Sequence, residues 1–433
     1  MQEQELILDH LDGIFRDLES RLNGATGSAR HNFHKKSFET LRRVRFPDRK
    51  NEDWKYTSIH QLMDLPWALA GENPSATLPN IPGLNSLVVP VNNGRLMVQD
   101  IDPAIAEAGI KIITHEELFE NVNWRSHFGE QATAEESSAS RAFELLNKAF
   151  ATNAFFIEIP TNTRLAQPIE LRFIHDDPVD SLSNPCYYIL GGSGCDVTFF
   201  ERYESGVTSA NALINALGRI YLEPNAIVRF VRWQELSNKQ HLVYTLHAIQ
   251  QRDSRFEMLS FDHGGKVVRN TIETDLLESN TFTSLESGYT AYDHQAIDHQ
   301  TIIHHKVPHC ESHELYRGIL DGKAKAAFNG KVFVSKDAQK TNAYQQNDTL
   351  VLSPFALMNS KPQLEIYADD VRCSHGATIG QLDERSVFYL RARGISEKDA
   401  ITMLKSAFLD VVLDKVKQDA LREYIHSRMT DEL

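Results

Sequence analysis

A mainly β fold with helical segments at both ends is what this sequence predicts. Three observations carry the prediction. Short β-type runs separated by turn residues recur from about residue 154 to residue 368. No sustained helical periodicity interrupts them. Apolar residues at helical spacing instead gather in the first 45 residues and the last 40. Regular short strands of this kind build a sandwich or a barrel. A solenoid of stacked strands accommodates the length more naturally. No clean numerical repeat chooses among the three.

At the N-terminal end, Leu6, Ile7, Leu11, Ile14, Phe15, Leu18 and Leu22 fall at helical spacing. A second helix is predicted from Ala29 to Val44, stopped before Phe46-Pro47 by the proline. Asn51-Glu52-Asp53-Trp54-Lys55-Tyr56-Thr57 follows as a mixture of aromatic and charged groups. Residues 65–85 hold Pro66, Pro74, Pro79 and Pro82 with little periodicity, which predicts a linker or an extended wrap. Ser86 to Asp100 has the pattern of a hairpin turning at Asn93-Gly94. Thr114-His115-Glu116-Glu117 carries capping-box spacing for a short helix. Ala139 to Phe150 is amphipathic, with Phe143, Leu146, Ala149 and Phe150 on the face expected to be buried.

The β-type runs are Phe155–Ile159, Ile169–Ile174, Tyr187–Leu190, Val197–Tyr203, Ile227–Trp233, Leu242–Ile249, Phe256–Phe261, Val267–Ile272, Lys331–Val334, Thr349–Leu352 and Leu364–Ala368. Beyond them the chain turns helical again. Ser396 is placed as N-cap with acidic groups in the first turn. Ile401, Leu404, Ala407, Phe408, Val411 and Val412 form one apolar stripe behind it. Such a stripe packs on its own domain, and a helix hung on the end of a β domain is also a dock for a partner.

Composition narrows the function classes. Hydrophobic residues make up 41% and charged residues 24%, ordinary values for a globular protein. No apolar run approaches the roughly 20 residues that span a bilayer, so no membrane role is expected. Met1-Gln2-Glu3-Gln4-Glu5 lacks the basic-then-apolar layout of a signal peptide. The four cysteines, Cys186, Cys195, Cys310 and Cys373, are too few for a disulfide framework. A cytoplasmic protein with reduced thiols is expected. Net charge is −14, from 45 basic and 59 acidic residues, which argues against nucleic acid as partner. The basic stretch from His34 to Arg45 is expected to be a solvated helix face.

The chemistry concentrates in Cys373-Ser374-His375. If the strand containing Leu364–Ala368 continues, Cys373 and His375 face one side with attachment points about 6.6 Å apart. A thiol with an imidazole suits zinc, copper or iron–sulfur species. Two ligands cannot close a tetrahedral site, so the pair is an unfinished metal site or a packed Cys beside a hydrogen-bonded His. A second concentration is His294, His299, His304, His305, His309 and His313, with Cys310 among them. Its spacing fits neither H-E-x-x-H nor a zinc-finger pattern. In strands His305 would share a face with His309, and His309 with His313; a hydrogen-bonded or solvated ladder is expected. Gly191-Gly192-Ser193-Gly194 precedes a strand and lacks the Lys-Ser/Thr of a nucleotide loop. No G-x-S-x-G elbow occurs. The chain shows no self-sufficient catalytic centre.

These stretches resemble a known family. His304-His305-Lys306-Val307-Pro308-His309-Cys310-Glu311-Ser312, Gly318-Ile319-Leu320-Asp321-Gly322-Lys323-Ala324 and Phe328-Asn329-Gly330-Lys331-Val332 are similar to the core of the SufB/SufD family. Ala338–Ala343, Pro362–Ile366, Cys373–Thr378 and Arg393-Gly394-Ile395 extend the likeness through about residues 290–412. Glu52–Thr57 and Leu146–Phe150 resemble family landmarks upstream. Within the family the chain resembles SufD rather than SufB: Ser353–Met358 stands where SufB-type chains carry a cysteine.

The resemblance implies a right-handed parallel β-helix over residues 151–385. Around it would lie an N-terminal, mainly helical region (1–150, with linker and small hairpin) and a C-terminal helical domain (386–433). It implies a non-catalytic scaffold in iron–sulfur cluster assembly that pairs with SufB and binds the SufC ATPase, with Ile401, Leu404 and Phe408 as docking candidates. His375 and Cys373 are the candidate metal ligands, completed by the partner. No tightly bound cofactor is expected, only transient iron or an iron–sulfur cluster shared with SufB. A homodimer is an option for the isolated chain. Two other classes stay in view: a β-helix polysaccharide lyase or hydrolase, and a His-ligated iron oxygenase built on His304, His305 and His309.

Overall fold

The computed structural model describes residues 2–20, 28–48, 50–63, 67–71, 78–129, 138–151, 153–206 and 210–430. Leu22, Pro66 and Pro74 lie outside these described residues. The fold is a parallel β-solenoid of about eight turns with helical regions in the N- and C-terminal parts of the chain. Successive strands alternate between two sheets, so each strand pairs with the next but one in sequence. One sheet runs through Gln240–Gln250, Val267–Leu276, Ala296–His305, Lys325–Val334 and Leu357–Ile366. The other runs through Arg255–Gly264, Phe282–Ala291, Glu311–Leu320, Asn342–Val351 and Arg372–Gly380.

The absence of a numerical period has a geometric cause. Paired residues Ala212 and Gln240 stand 28 apart, Ala296 and Lys325 stand 29 apart, and Lys325 and Leu357 stand 32 apart. The strands stay near ten residues while the corners absorb the difference. Left-handed residues mark those corners, among them Asn225, Asp253, Asn280, Asp293 and His309, mostly the Asn and Asp types that tolerate the conformation.

Alternation sorts side chains between the lumen and the outside. The lumen holds an apolar core including Phe230, Phe256, Leu285, Tyr316 and Phe328. Polar side chains are threaded through it. The Glu201 carboxylate accepts from the hydroxyls of Tyr187 (2.5 Å) and Tyr244 (2.7 Å). Arg232 donates to both oxygens of Asp262 at 2.8 Å.

Helices cover the outer faces. Helix α1 (Gln2–Ser20), α2 (Ala29–Val44) and α3 (Ala142–Phe150) pack a cluster of Leu8, Leu11, Phe15, Phe38, Leu41 and Phe150 onto Leu182, Leu213, Val243 and Val267 of the solenoid. The predicted apolar face of α1 is rotated slightly: Leu8 is buried, whereas Leu6 points to solvent. The hairpin turns at Asn93-Gly94, both left-handed, as expected of that dipeptide. A short helix follows Thr114, although its side chain makes no capping bond. At the other end come α4 (Glu384–Ala392), α5 (Glu397–Leu413) and α6 (Asp419–Thr430). Ser396 caps α5 by accepting from the Asp399 N–H. Leu409, Val412, Leu413, Leu421, Ile425 and Met429 cover Phe200, Val231, Trp233, Phe261 and Ile319 on the second sheet.

Residues 51–57, with a single 3-10 turn at Glu52–Trp54 capped by Asn51, form a clasp across the first sheet. Trp54 stacks on Phe143 and lies under the Arg269 guanidinium, 3.8 Å from its ring centre. Asp53 pairs with Lys331 at 2.6 Å and Glu52 with Lys361 at 2.7 Å. Thr57 and Arg269 both donate to Asp298. The mixture of aromatic and charged groups therefore suits a segment that binds a polar sheet face.

Candidate functional site at the open end of the solenoid

The strand that carries Leu364 does not continue to His375. It ends at Ile366, and the chain turns a corner before Arg372–Gly380 begins in the opposite sheet. Cys373 and His375 still lie two apart on one strand, but that strand closes the last turn and, among the described residues, has no neighbour on its outer edge.

Register fixes which way they face. In Asn342–Val351, Ala343, Gln345, Asn347 and Thr349 are buried toward the lumen, while Tyr344, Gln346 and Asp348 alternate outward. Cys373 pairs with Ala343 and His375 with Gln345, so both belong to the lumen side. Across from them stand Ser360, Pro362 and Leu364, aligned on lumen-facing Phe328, Gly330 and Val332. Asn347 bridges the gap by donating to the Ser360 hydroxyl at 3.0 Å.

The two donors differ in readiness. Cys373 is half-buried beside a small apolar cluster of Val332, Val334, Ala338, Ala343 and Ala368. Burial raises its thiol above the ordinary range, only partly offset by the Ala343 backbone hydrogen bond. A thiol held protonated is a poor ligand until a metal or base takes the proton. His375 is exposed at the mouth. Two donors on one side of one strand remain half of a tetrahedral set. One rung behind, Gln345 donates to Glu314 at 2.6 Å; that carboxyl is fully buried and pushed up to about 7 by burial.

The histidine-rich stretch does not converge. The ladder between His305, His309 and His313 is broken because His309 occupies a left-handed corner, with His305 and His313 in opposite sheets. His305 points into the lumen, bonded to Ser312 at 2.9 Å, and burial lowers it to about 3. His304 faces outward toward Glu273 at 3.3 Å, and His313 pairs with Glu311 at 2.7 Å. His299 is sealed in the lumen between Tyr289 and Tyr316. Among the described residues no three His, Cys, Asp or Glu side chains gather as a metal-binding group.

The C-terminal stripe divides between two surfaces. Val412 is buried against the solenoid, while Ile401, Leu404 and Phe408 are half-buried. Arg317 covers the Phe408 ring at 4.9 Å and donates to its carbonyl at 3.0 Å. Leu404 borders a shallow recess with Tyr389 and Leu390 of α4. Sequence reasoning missed the largest exposed apolar groups nearby: Phe388 is 73% and Tyr389 57% exposed, and α4 has no buried residue. Two adjacent aromatics in an otherwise charged helix were the signal.

Residues 173–408 match the model of the SUF-system iron–sulfur cluster assembly SufBD core domain, and residues 9–171 match the SufBD N-terminal region. The chain belongs to the SufBD family. An iron–sulfur cluster assembly SufBD family protein of Synechocystis is 30% identical, over 95% of this chain and 93% of that protein. The iron–sulfur cluster assembly protein SufD of Escherichia coli is 27% identical over 94% of both. The chloroplastic protein ABCI7 of Arabidopsis thaliana is 26% identical, over 89% of this chain and 82% of its own. No helix among the described residues is long and apolar enough to cross a membrane. SufBD membership and the solenoid both accord with the SufB/SufD resemblance, and they place Cys373 and His375 in the core domain of the family.

Proposed function

We propose that this chain is a non-catalytic, cytoplasmic scaffold subunit that pairs with SufB through the open end of its solenoid and binds the SufC ATPase through α4 and α5. The carrying observation is His375: its register is that of a lumen residue, yet among the described residues no further turn covers it. The imidazole ligates incoming iron or steadies a nascent cluster, and SufB supplies the remaining ligands. Iron and cluster are cargo held across the interface rather than a resident cofactor. The burial-raised Cys373 thiol joins only once metal displaces its proton. SufC, in hydrolysing ATP, moves the helical brace and opens the interface.

His375→Ala tests the reading in the complete complex with SufB and SufC. The expected result is loss of cluster formation with complex assembly intact; undiminished cluster formation would remove the imidazole from the chemistry. The His375 side chain is exposed and forms no hydrogen bond or ion pair among the described residues, so a loss of fold is not expected.

A further inference from the structure

A second site lies away from the open end, where the clasp crosses the first sheet. Between residues 55–61 and the strands beneath is a cavity of about 550 Å³. That volume lies within the range of small-molecule sites. Basic groups dominate its lining: Lys55, Lys323 and Lys325, with the imidazoles of His60 and His294 beside them. This is against the trend of a chain with net charge −14. The one acidic residue lining it, Asp298, is already engaged by Arg269 and Thr57. Among the described residues Lys323 and Lys325 form no ion pair, whereas Lys55 lies in the field of the Glu52 carboxylate. Asp293 and Asp321 sit in the same solenoid corners as His294 and Lys323, but neither lines the cavity.

The framework is built rather than incidental. Val267, Ala296, Lys325 and Leu357 are register partners on four consecutive rungs, about 4.8 Å apart. Ala296 and Ala327 leave the floor open where larger side chains would fill it. The opposite wall is fixed by the Asp53–Lys331 pair and by Trp54 against Arg269. Ser58, Gln61 and Asn359 add neutral polar groups, and Tyr56 offers a half-exposed ring with Lys55 over it at 5.6 Å. Several ammonium groups with imidazoles and amides, around a space of this size, suit a multiply charged oxyanion; ammonium groups act there as point charges.

We propose that this cavity binds a phosphate-bearing small anion, with Lys323 and Lys325 as its principal contacts. The site is independent of the cluster chemistry at His375, and binding can be read on the isolated full-length chain.

Isothermal titration calorimetry with inorganic pyrophosphate, and in a second arm ADP, tests the proposal. Saturable one-to-one binding is expected in at least the pyrophosphate arm; comparable affinity for ADP assigns recognition to the phosphates, and tighter ADP binding adds the Tyr56 ring. Lys323→Met/Lys325→Met should weaken binding by at least about tenfold, since each lost charged hydrogen bond is of that order. Both lysines are exposed, so folding is preserved and can be checked by circular dichroism. Lys398→Met/Lys417→Met removes the same charge from α5 and the α5–α6 connection and should leave affinity within about twofold. No saturable binding of either probe up to about 10 mM, or equal weakening by both double variants, overturns the proposal.

Discussion

At the scale of single residues, the lumen sets unusual titration behaviour, and Glu314 is the clearest case. Its carboxyl is fully buried, bonded to Gln345, and pushed up to about 7 by burial from an ordinary 4.5. The fold therefore favours the neutral form. That contribution is fully present below pH 4.5 and is lost as pH rises through 7, a difference of roughly 3 kcal/mol. Glu314→Gln should flatten the decline of thermal stability between pH 4.5 and 7 relative to the parent; parallel curves for both proteins would show that the carboxyl is not held neutral. Cys373 and His375 were legible in the sequence because a thiol and an imidazole two apart on a strand share a side whatever the sheet. Gln345 and Glu314 were not legible, since their importance comes from register with residues about thirty positions away. His309 misled for a related reason: its left-handed corner ends the alternation on which a shared face depends.

At the scale of elements, the missed strands explain one another. Ala212–Leu222 is buried on both faces because α3 covers its outer side, where Asn215 and Arg219 bond to that helix, so it shows no period of two. Phe282–Ala291, Ala296–His305 and Glu311–Leu320 place Ser287, His299, Thr301 and Glu314 inward, where alternation leads one to expect apolar groups. Runs such as Phe155–Ile159, with apolar residues inward, were recovered in full. The terminal helices followed their periodicity well, and the Ser396 cap formed as predicted. The apolar stripe on α5, however, was one stripe in sequence and two surfaces in space. Leu404 is the stripe residue that borders the exposed Tyr389 through the recess on α4, whereas Phe408 is committed to Arg317. Leu404→Glu should thus abolish co-purification with SufC while leaving the thermal transition within about 1 kcal/mol of the parent. Retained capture would move the docking surface off these helices.

At the scale of the whole molecule, stability in a solenoid is the sum of each turn and its interfaces with two neighbours. The last strands have one. Leu357–Ile366 has a single well-buried residue, Met358, and Arg372–Gly380 has none, whereas Gln240–Gln250 is buried almost throughout. Ile379 is 53% exposed on the terminal strand. Hydrogen exchange of the isolated chain should find amides of 372–380 opening far faster than those of 240–250, by about a hundredfold or more. Equal protection would mean that a second copy already caps the end, as open edges invite. Parallel architecture was legible only through the family resemblance. Solenoid, sandwich and barrel share the same short strands, and corner lengths varying between turns conceal the repeat.

Helix α5 lies on Phe282–Ala291 and Glu311–Leu320, and the second of these is only two rungs behind His375 in the same sheet. Tension applied to that helix would travel through two ladders of peptide hydrogen bonds, about 10 Å of fabric, before it tugged on the rim. Under the proposed function, motor and metal would share a single short lever, with little slack between them.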